Sequence, residues 1–577
     1  MDLINLTFPP AFILFFGALL LPFLPSLPRK VLIILLPVLA LLEVWSLSPD
    51  SEFLIPFAGF DLNFLQLHEF SFIFANAFCL ATLAGGIYAL KHHNKIEITA
   101  AYILAACALA VCYVGDLLGL FIIWEIMALT SIIVISHGGS DKSRKAAFRF
   151  AMLHFFGGAF LIAAITANYH ATGSLDIALF AANWSEWMLE GEFDLEKLSA
   201  WCIFIAILIN FAAPPFSSWL PDSYPESSPW GGVFLSAFLT NNPVFVVLTI
   251  FSGKDNLVQI GIFMIFYGII YGLLENNFRR ILSYAIINQL GFMAVAIGVG
   301  TQGAQIATAL LAFANIIFMP LLFASAGSVI TMTGNHKCSD VGGIFHSMRF
   351  TAFAGLIGAL SIAAFPLTSG FLGNSLILSS LSGEHNFYVW LALLAASACV
   401  FLHAGGKFPY FVFFHKDSGL RPDEAPINMR VAMGFLIILC LLPSLRPDYL
   451  YNMIPNTPQY QLMTAENVVS RLQLLFFAAL AFFAFIPVLR KVRGISLDFD
   501  WFTRKFLLGF LHNIERIIVV VWTAILNFLK EILSDIEAKL RTNFKPDGPI
   551  SRTWKISDTV IYTTVLLGLF MIVYYYL

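Results

Sequence analysis

Three short stretches place ionisable side chains where an apolar chain tolerates them least. "FIIWEIMALT", Phe121 to Thr130, holds Glu125 inside an apolar run from Leu117 to about Ser136. Roughly 20 apolar residues cross a bilayer as a helix, and at about 1.5 Å per residue this carboxylate sits roughly 13 Å deep. A charge there costs at least a few kcal/mol, and such residues as a rule face an internal cavity or carry an ion. The alternative is a protonated glutamate that only ties helices together. "AMLHFFGG" puts His154 on the next apolar run, where a neutral imidazole is either a proton relay or a satisfied core group. "FLHAGGKFPYF" carries His403 and Lys407, four apart and so on one helix face; Lys407, near the end of its run, can also snorkel to the interface. Uptake and release of protons is the chemistry these groups share.

The elements that hold them are membrane spans. Of 577 residues 59% are hydrophobic and only 12% charged, with a mean hydropathy of +0.83, which excludes a soluble domain. About sixteen apolar runs are long enough to span, the first from Pro9 to Leu24, which lacks a basic n-region and a cleavage site and reads as a span, not a signal peptide. Loops such as "LPRK", "SDKSRKAAFR", "GNHKCSD" and "LRKVRG" are basic or mixed and follow odd-numbered spans, whereas "SPDSEF" and "WSEWMLEGEFDLEK" are acidic or neutral. By the positive-inside rule the basic loops are cytoplasmic and the N-terminus is outside.

Two runs read as broken helices. "NFAAPPFSSWLPDSYP" carries four prolines, and "AAFPLTSGFLGNS" combines Pro366 with Gly370 and Gly373. Proline removes a donor and clashes with the preceding turn, and freed backbone at membrane depth must be buried in protein or line a wet cavity. Interrupted helices in two parts of a chain point to a transport path. From Phe502 to about Phe544 apolar residues recur with helical period between charged faces, the pattern of a helix lying along a surface. Asp222, Arg279 and Arg280 read as helix-end caps or topology signals.

Several functions are excluded. The seven cysteines contain no C-x-x-C, so no disulfide framework, zinc site or iron-sulfur pattern is present. No phosphate-binding loop or basic aromatic patch opens a nucleotide or nucleic-acid role. No cofactor is expected. A membrane-embedded glycosyl transferase would need a large soluble loop, and the longest acidic one, about Ser174 to Lys197, is short.

The motifs "WEIMALTS", "PPFSSWLPDSYPE", "LLENNFRRILSY" with "NQLGFM", "GALSIAAFPLTSGF", "FLHAGGKFPYFVFFHKDSGLRPDEAP" and "SLDFDWFTRK" occur in one order along the chain. The chain resembles the antiporter-like membrane subunits shared by respiratory complex I and the Mrp-type multisubunit sodium/proton antiporters, with the D-type branch of the Mrp proteins the nearest pattern. The resemblance implies an all-α polytopic protein of about sixteen spans, with two inverted half-channel repeats, discontinuous helices and a long lateral helix before the last span. It implies a subunit in the cell membrane that works beside other membrane subunits, moves H+ or Na+, and leaves any redox chemistry to its partners. The corresponding divisions are 1–115 for accessory spans, 116–275 for the first half-channel with its break near 210–222, 276–411 for the second with its break near 363–375, 412–500 for C-terminal spans, 501–545 for the lateral helix and 546–577 for the terminal span.

Glu125 matches the family's membrane glutamate. Its usual lysine partners are absent: Asn210, Asn241 and Asn374 stand at three of those positions and Met319 at another, while Leu311, Asn315 and Ala285 replace histidines. Asparagine hydrogen-bonds but cannot shuttle a proton by changing charge. Two expectations follow: a translocating subunit working through Glu125 with His154, or a non-conducting member with a structural role in such a complex.

Overall fold

The computed structural model describes residues 8–189, 194–382, 387–455, 463–489, 508–545 and 554–576. It falls into two units, Met1–Asp500 and Trp501–Leu577. Part of the acidic loop before Leu195, the loop "LRKVRG" after its leucine, and the motif "SLDFDWFTRK" lie outside the described residues.

Caps and prolines set where the helices of the first unit begin and stop. Helix α1 (Pro10–Leu20) opens on a proline, where a missing N–H costs nothing. After α2 (Ser26–Ser46), strands β1 (Phe53–Phe57) and β2 (Phe60–Leu65) form an antiparallel hairpin. Helix α3 (Ser71–Tyr88) is followed by α4 (Lys95–Val111), where the Asn94 side chain accepts from the Ile96 and Glu97 amides. Helix α5 (Leu117–Ser136) is capped by Asp116, which accepts from the Gly119 amide at 2.6 Å. Helix α6 (Asp141–Thr172) starts with a reciprocal Ser140/Ser143 box, and α7 (Ile177–Leu189) follows. These caps satisfy first-turn amides that the helix leaves unpaired.

The expected breaks are present. Helix α8 (Leu195–Asn210) stops at Asn210, Ala212 turns to φ +53°, and after Pro214 and Pro215 the chain resumes as α9 (Trp219–Ser223). The apolar run over 231–251, long enough to span, is also broken. Its parts are α10 (Pro229–Phe238) and α11 (Asn242–Ile250), because Pro243 has no amide to return to the carbonyl of Leu239. Next come α12 (Asp255–Leu274), α13 (Phe278–Val299) and α14 (Gln302–Thr333). The apolar stretches of α13 and α14 are wholly buried, so these two helices form the centre of the unit.

The second break repeats the first. Helix α15 (Arg349–Ile362) ends, Ala364 turns to φ +54°, and α16 (Ser369–Ser382) resumes. Paired backbone contacts also recur, Asp116 with Asp176 around α5 and α6, and Asn277 with Lys337 around α13 and α14. Helix α17 (Phe387–Val400) runs into π-helical turns at Phe401–Lys407 and Tyr410–Phe414, a winding frequent at functional sites. Helices α18 (Ile427–Leu445), α19 (Asp448–Tyr451) and α20 (Ala465–Leu489) complete the unit.

Among the described residues twelve helices are long and apolar enough to cross a membrane, against about sixteen expected from the sequence. The difference has a physical origin. α1, α4, α8 and α15 have only 11, 17, 16 and 14 residues and α2 carries Arg29, Lys30 and Glu43, while α10 with α11 counts as one span and α21, read from the sequence as a lateral helix, is among the twelve. In the second unit, α21 (Leu508–Asn543) and α22 (Ile556–Tyr576) are continuous helices. α21 pairs Lys539 with Asp535 and Arg541 with Glu537 in its last turns, yet its apolar face is rich enough that Asn513–Asn543 meets the length and hydropathy of a span.

Candidate functional site

Glu125 lies midway along α5 and is half-buried. Its carboxylate rests on Gly158 of α6: a β-carbon there would stand 3.0 Å from Glu125 Cδ and collide with Oε1. Glycine is therefore required for this approach. Among the described residues Glu125 makes no hydrogen bond or ion pair. Its neighbour Trp124 donates to Asn242 Oδ1 at 2.7 Å, and Asn242 donates to the Ala108 carbonyl at 3.2 Å, which ties α5 to α11 and α4.

His154 lies one turn before Gly158 on the same face of α6. Its ring stacks on Phe150 at 3.7 Å and meets the edge of Trp219 at 4.8 Å. Nδ1 is 3.0 Å from the Phe150 carbonyl, while Nε2 is buried without a partner among the described residues. Trp219, at the start of α9, donates to the Ile209 carbonyl at 3.0 Å. The first broken helix thus closes over the His154 side of the Glu125 patch. Asn210 spends its side-chain amide on the Ala206 carbonyl of its own helix, at 3.0 Å.

Asn241 and Asn315 meet at the centre. Both are fully buried, and Asn315 Nδ2 donates to Asn241 Oδ1 at 2.6 Å while Asn241 donates to the Ala237 carbonyl at 3.0 Å. Met319 is buried one turn further along α14.

Asn374, on α16, receives Ser397 Oγ at 3.2 Å and Arg471 Nη2 at 2.7 Å. Lys407 is buried at the end of the first π-helical turns, where its ammonium donates to the carbonyls of Leu273 at 2.7 Å, Glu275 at 2.5 Å and Gly272 at 3.3 Å. These are carbonyls at the C-terminal end of α12, where a cation is favoured. His403 packs on Gly272, and its Nε2 has no partner among the described residues. The π-helical winding offsets the single helix face expected of His403 and Lys407, though both turn towards α12. A polar cavity of about 250 Å³ leads to Lys407 between the loops that carry Asn276, Ser339, Lys416 and Asp417.

Residues 114–400 match the family described as the NADH:quinone oxidoreductase/Mrp antiporter membrane domain. The chain belongs to this family of antiporter-like membrane subunits. It is 28% identical over 344 residues to the D component of the Na(+)/H(+) antiporter of Alkalihalophilus pseudofirmus, covering 57% of this chain and 67% of that one. Its fold matches a chain of the membrane-bound sulfane sulfur reductase, an archaeal respiratory membrane complex, with a TM-score of 0.70 at 21% identity over 98% of this chain and 99% of that chain. It also matches a chain of the Mrp complex from a Dietzia species, with a TM-score of 0.75 at 19% identity over 97% of this chain and 65% of that chain. The family match contains Glu125, His154, Asn210, Asn241, Asn315 and Asn374; His403, Lys407 and Arg471 lie beyond it.

The residues expected from the sequence therefore form separate groups. Glu125 and His154 share one patch, Asn241 and Asn315 another, and His403 with Lys407 a third at the end of α12. Asp222, next to the end of α9, makes a bidentate pair with Arg149 of α6 at 2.6 and 2.8 Å. Arg279 donates to the Ser227 carbonyl at 2.8 Å, and Arg280 pairs with Glu275 at 3.3 Å. Sequence reasoning missed Gly158, Trp219 and Arg471; for Arg471 the signal was the one charge in the apolar run that follows Glu466 in α20.

Proposed function

We propose that the chain is a membrane subunit of a multisubunit monovalent cation/proton antiporter or a complex I-like assembly, and that it contributes to H+ or Na+ translocation through a polar path near the bilayer midplane. One observation carries this reading: a carboxylate in the middle of a span, held against Gly158 and without a partner among the described residues. A carboxylate kept so in an apolar run takes up and releases a cation at low structural cost, because no ion pair must break first. His154, one turn before Gly158 on α6 and with Nε2 unpartnered among the described residues, is the group that passes the proton on. The recurring backbone pairs and the two breaks at Ala212 and Ala364 support a division into two half-channels. The relatives point to partner membrane subunits, and the basic loops favour an N-terminus outside.

The test is Glu125→Gln in the assembled complex, with ion-coupled activity followed in membrane vesicles. Loss of activity at normal assembly is expected. Undiminished activity overturns the reading.

A second reading is favoured by the Asn241–Asn315 hydrogen bond. Where a relay would need groups that change charge, this centre holds two amides that cannot. On this reading the chain is a non-conducting scaffold, with α21 lying alongside neighbouring subunits. Truncation after about Asp500 would then abolish assembly, while Glu125→Gln would leave transport intact.

A further inference from the structure

Arg471 lies within the first two turns of α20 and is only 5% exposed. Its guanidinium spans the second helix break: Nε donates to the Ala364 carbonyl at 3.1 Å on the α15 side, and Nη2 donates to Asn374 Oδ1 at 2.7 Å on the α16 side. Among the described residues Nη1 is buried without a partner, and no carboxylate pairs with this group. Burying an uncompensated charge is costly, and guanidinium holds its proton across the whole physiological range. The break therefore carries a permanent positive charge, not a switchable one.

Its position matters. α15 runs from the loop face to the break, and α16 continues to the opposite face, where α20 begins. The polar cavity at Lys407 opens among the loops that precede α15 and follow the π-helical turns, and the guanidinium stands at the other end of α15. We infer that Arg471 is an electrostatic seal: a fixed charge at the second break that keeps monovalent cations from leaking passively through that half of the subunit. Fixed positive groups exclude cations from membrane pores in this way. A unit charge about 10 Å from a passing cation, at an effective dielectric near 20, changes its occupancy by roughly tenfold. Of the elements around it, α16 carries no ionisable residue, α17 carries Tyr388 and Cys399, α15 carries Arg349 at its start, the π-helical turns carry His403, Lys407 and Tyr410, and α20 itself carries Glu466.

The inference builds on the reading of Glu125 as the conducting side, but its measurement needs no coupled transport. Passive proton influx into vesicles containing the whole complex is driven by an imposed membrane potential and read with a pH-sensitive dye. Arg471→Gln is expected to raise this leak about tenfold. Arg471→Lys is expected to be tight at acid pH and to leak increasingly as pH rises, because a buried ammonium, unlike a guanidinium, gives up its proton. A role confined to packing would shift the amount of complex but not create a pH-dependent leak. Normal assembly of Arg471→Gln with an unchanged leak overturns the inference. Should that variant fail to assemble, a leak from Arg471→Lys that stays at the wild-type level from about pH 5 to about pH 10 overturns it equally. If Glu125→Gln leaves transport intact, the translocation reading fails while the leak still decides the role of Arg471.

Discussion

Asn315 donates its side-chain amide to Asn241 across 2.6 Å, and neither residue reaches solvent. The contact joins α14 to the break between α10 and α11 through neutral groups. A lysine at 241 would bring a charge into a pocket whose side-chain partner is an amide, and a buried charge without a counter-ion destabilises by several kcal/mol. Asn241→Lys is expected to reduce the amount of folded protein in detergent, scored by gel filtration of a fluorescent fusion. A well-folded variant with increased transport would show instead that the centre accepts a titratable cation.

Adjacent glycines of α6 provide a matched pair. A β-carbon at Gly157 would meet Ile209 at 3.4 Å, ordinary contact, whereas one at Gly158 would run into the Glu125 carboxylate. Gly157→Ala should therefore be close to neutral. Gly158→Ala should displace the Glu125 carboxylate, the end of a flexible side chain that can swing aside at small cost in stability, so transport should fall more than thermal stability. Equal transport in the two variants would mean that the carboxylate's place against Gly158 is immaterial.

What the sequence made legible was local. A carboxylate in an apolar run and clustered prolines are visible without a fold, and so Glu125, the break after Asn210 and the break near Ala364 were all foreseeable. The break between α10 and α11 was hidden, because Pro243 lies in an unbroken apolar run and its effect on the Leu239 carbonyl leaves no mark in hydropathy. Pairings between distant residues were not legible at all. Asn241 and Asn315 are 74 positions apart, and Arg471 reaches Ala364 and Asn374 across 107 and 97. The pairing of Asp222 was hidden for the same reason, since its partner Arg149 belongs to a different helix.

The loop beside the cavity responds to acid. Hydrogen bonds from Arg421 and from the Gly419 amide hold the Asp417 carboxyl well below the usual carboxylate range. A carboxyl whose folded pKa is depressed contributes order that is complete above its unfolded value and is lost as pH falls. The Asp417–Arg421 pair should accordingly persist from neutral pH down to about pH 4 and loosen below it, with hydrogen exchange at 416–421 rising as it does. Asp417→Asn should exchange quickly at every pH. A wild-type loop equally protected at about pH 3 and about pH 7 would contradict this account.

Lys407 closes the end of α12, and this accounts for a buried ammonium without invoking transport. Three carbonyls receive its protons at 2.5 to 3.3 Å, and a hydrogen bond to a charged donor contributes about 1.5–3 kcal/mol. Lys407→Met would keep the apolar stem and strand those carbonyls beside the cavity, so a loss of about 2–4 kcal/mol is expected, visible as a lower Tm of the purified protein in detergent. Lys407→Arg keeps the charge but must fit a planar fork where a compact ammonium points at three oxygens, and should recover only part of the loss. If the capping role is the whole role, transport per assembled complex stays level in both variants while the yield falls. If Lys407 also lies on an ion path, transport per complex drops in Lys407→Met beyond the fall in yield, and the cavity leading to it becomes a route, not a crevice.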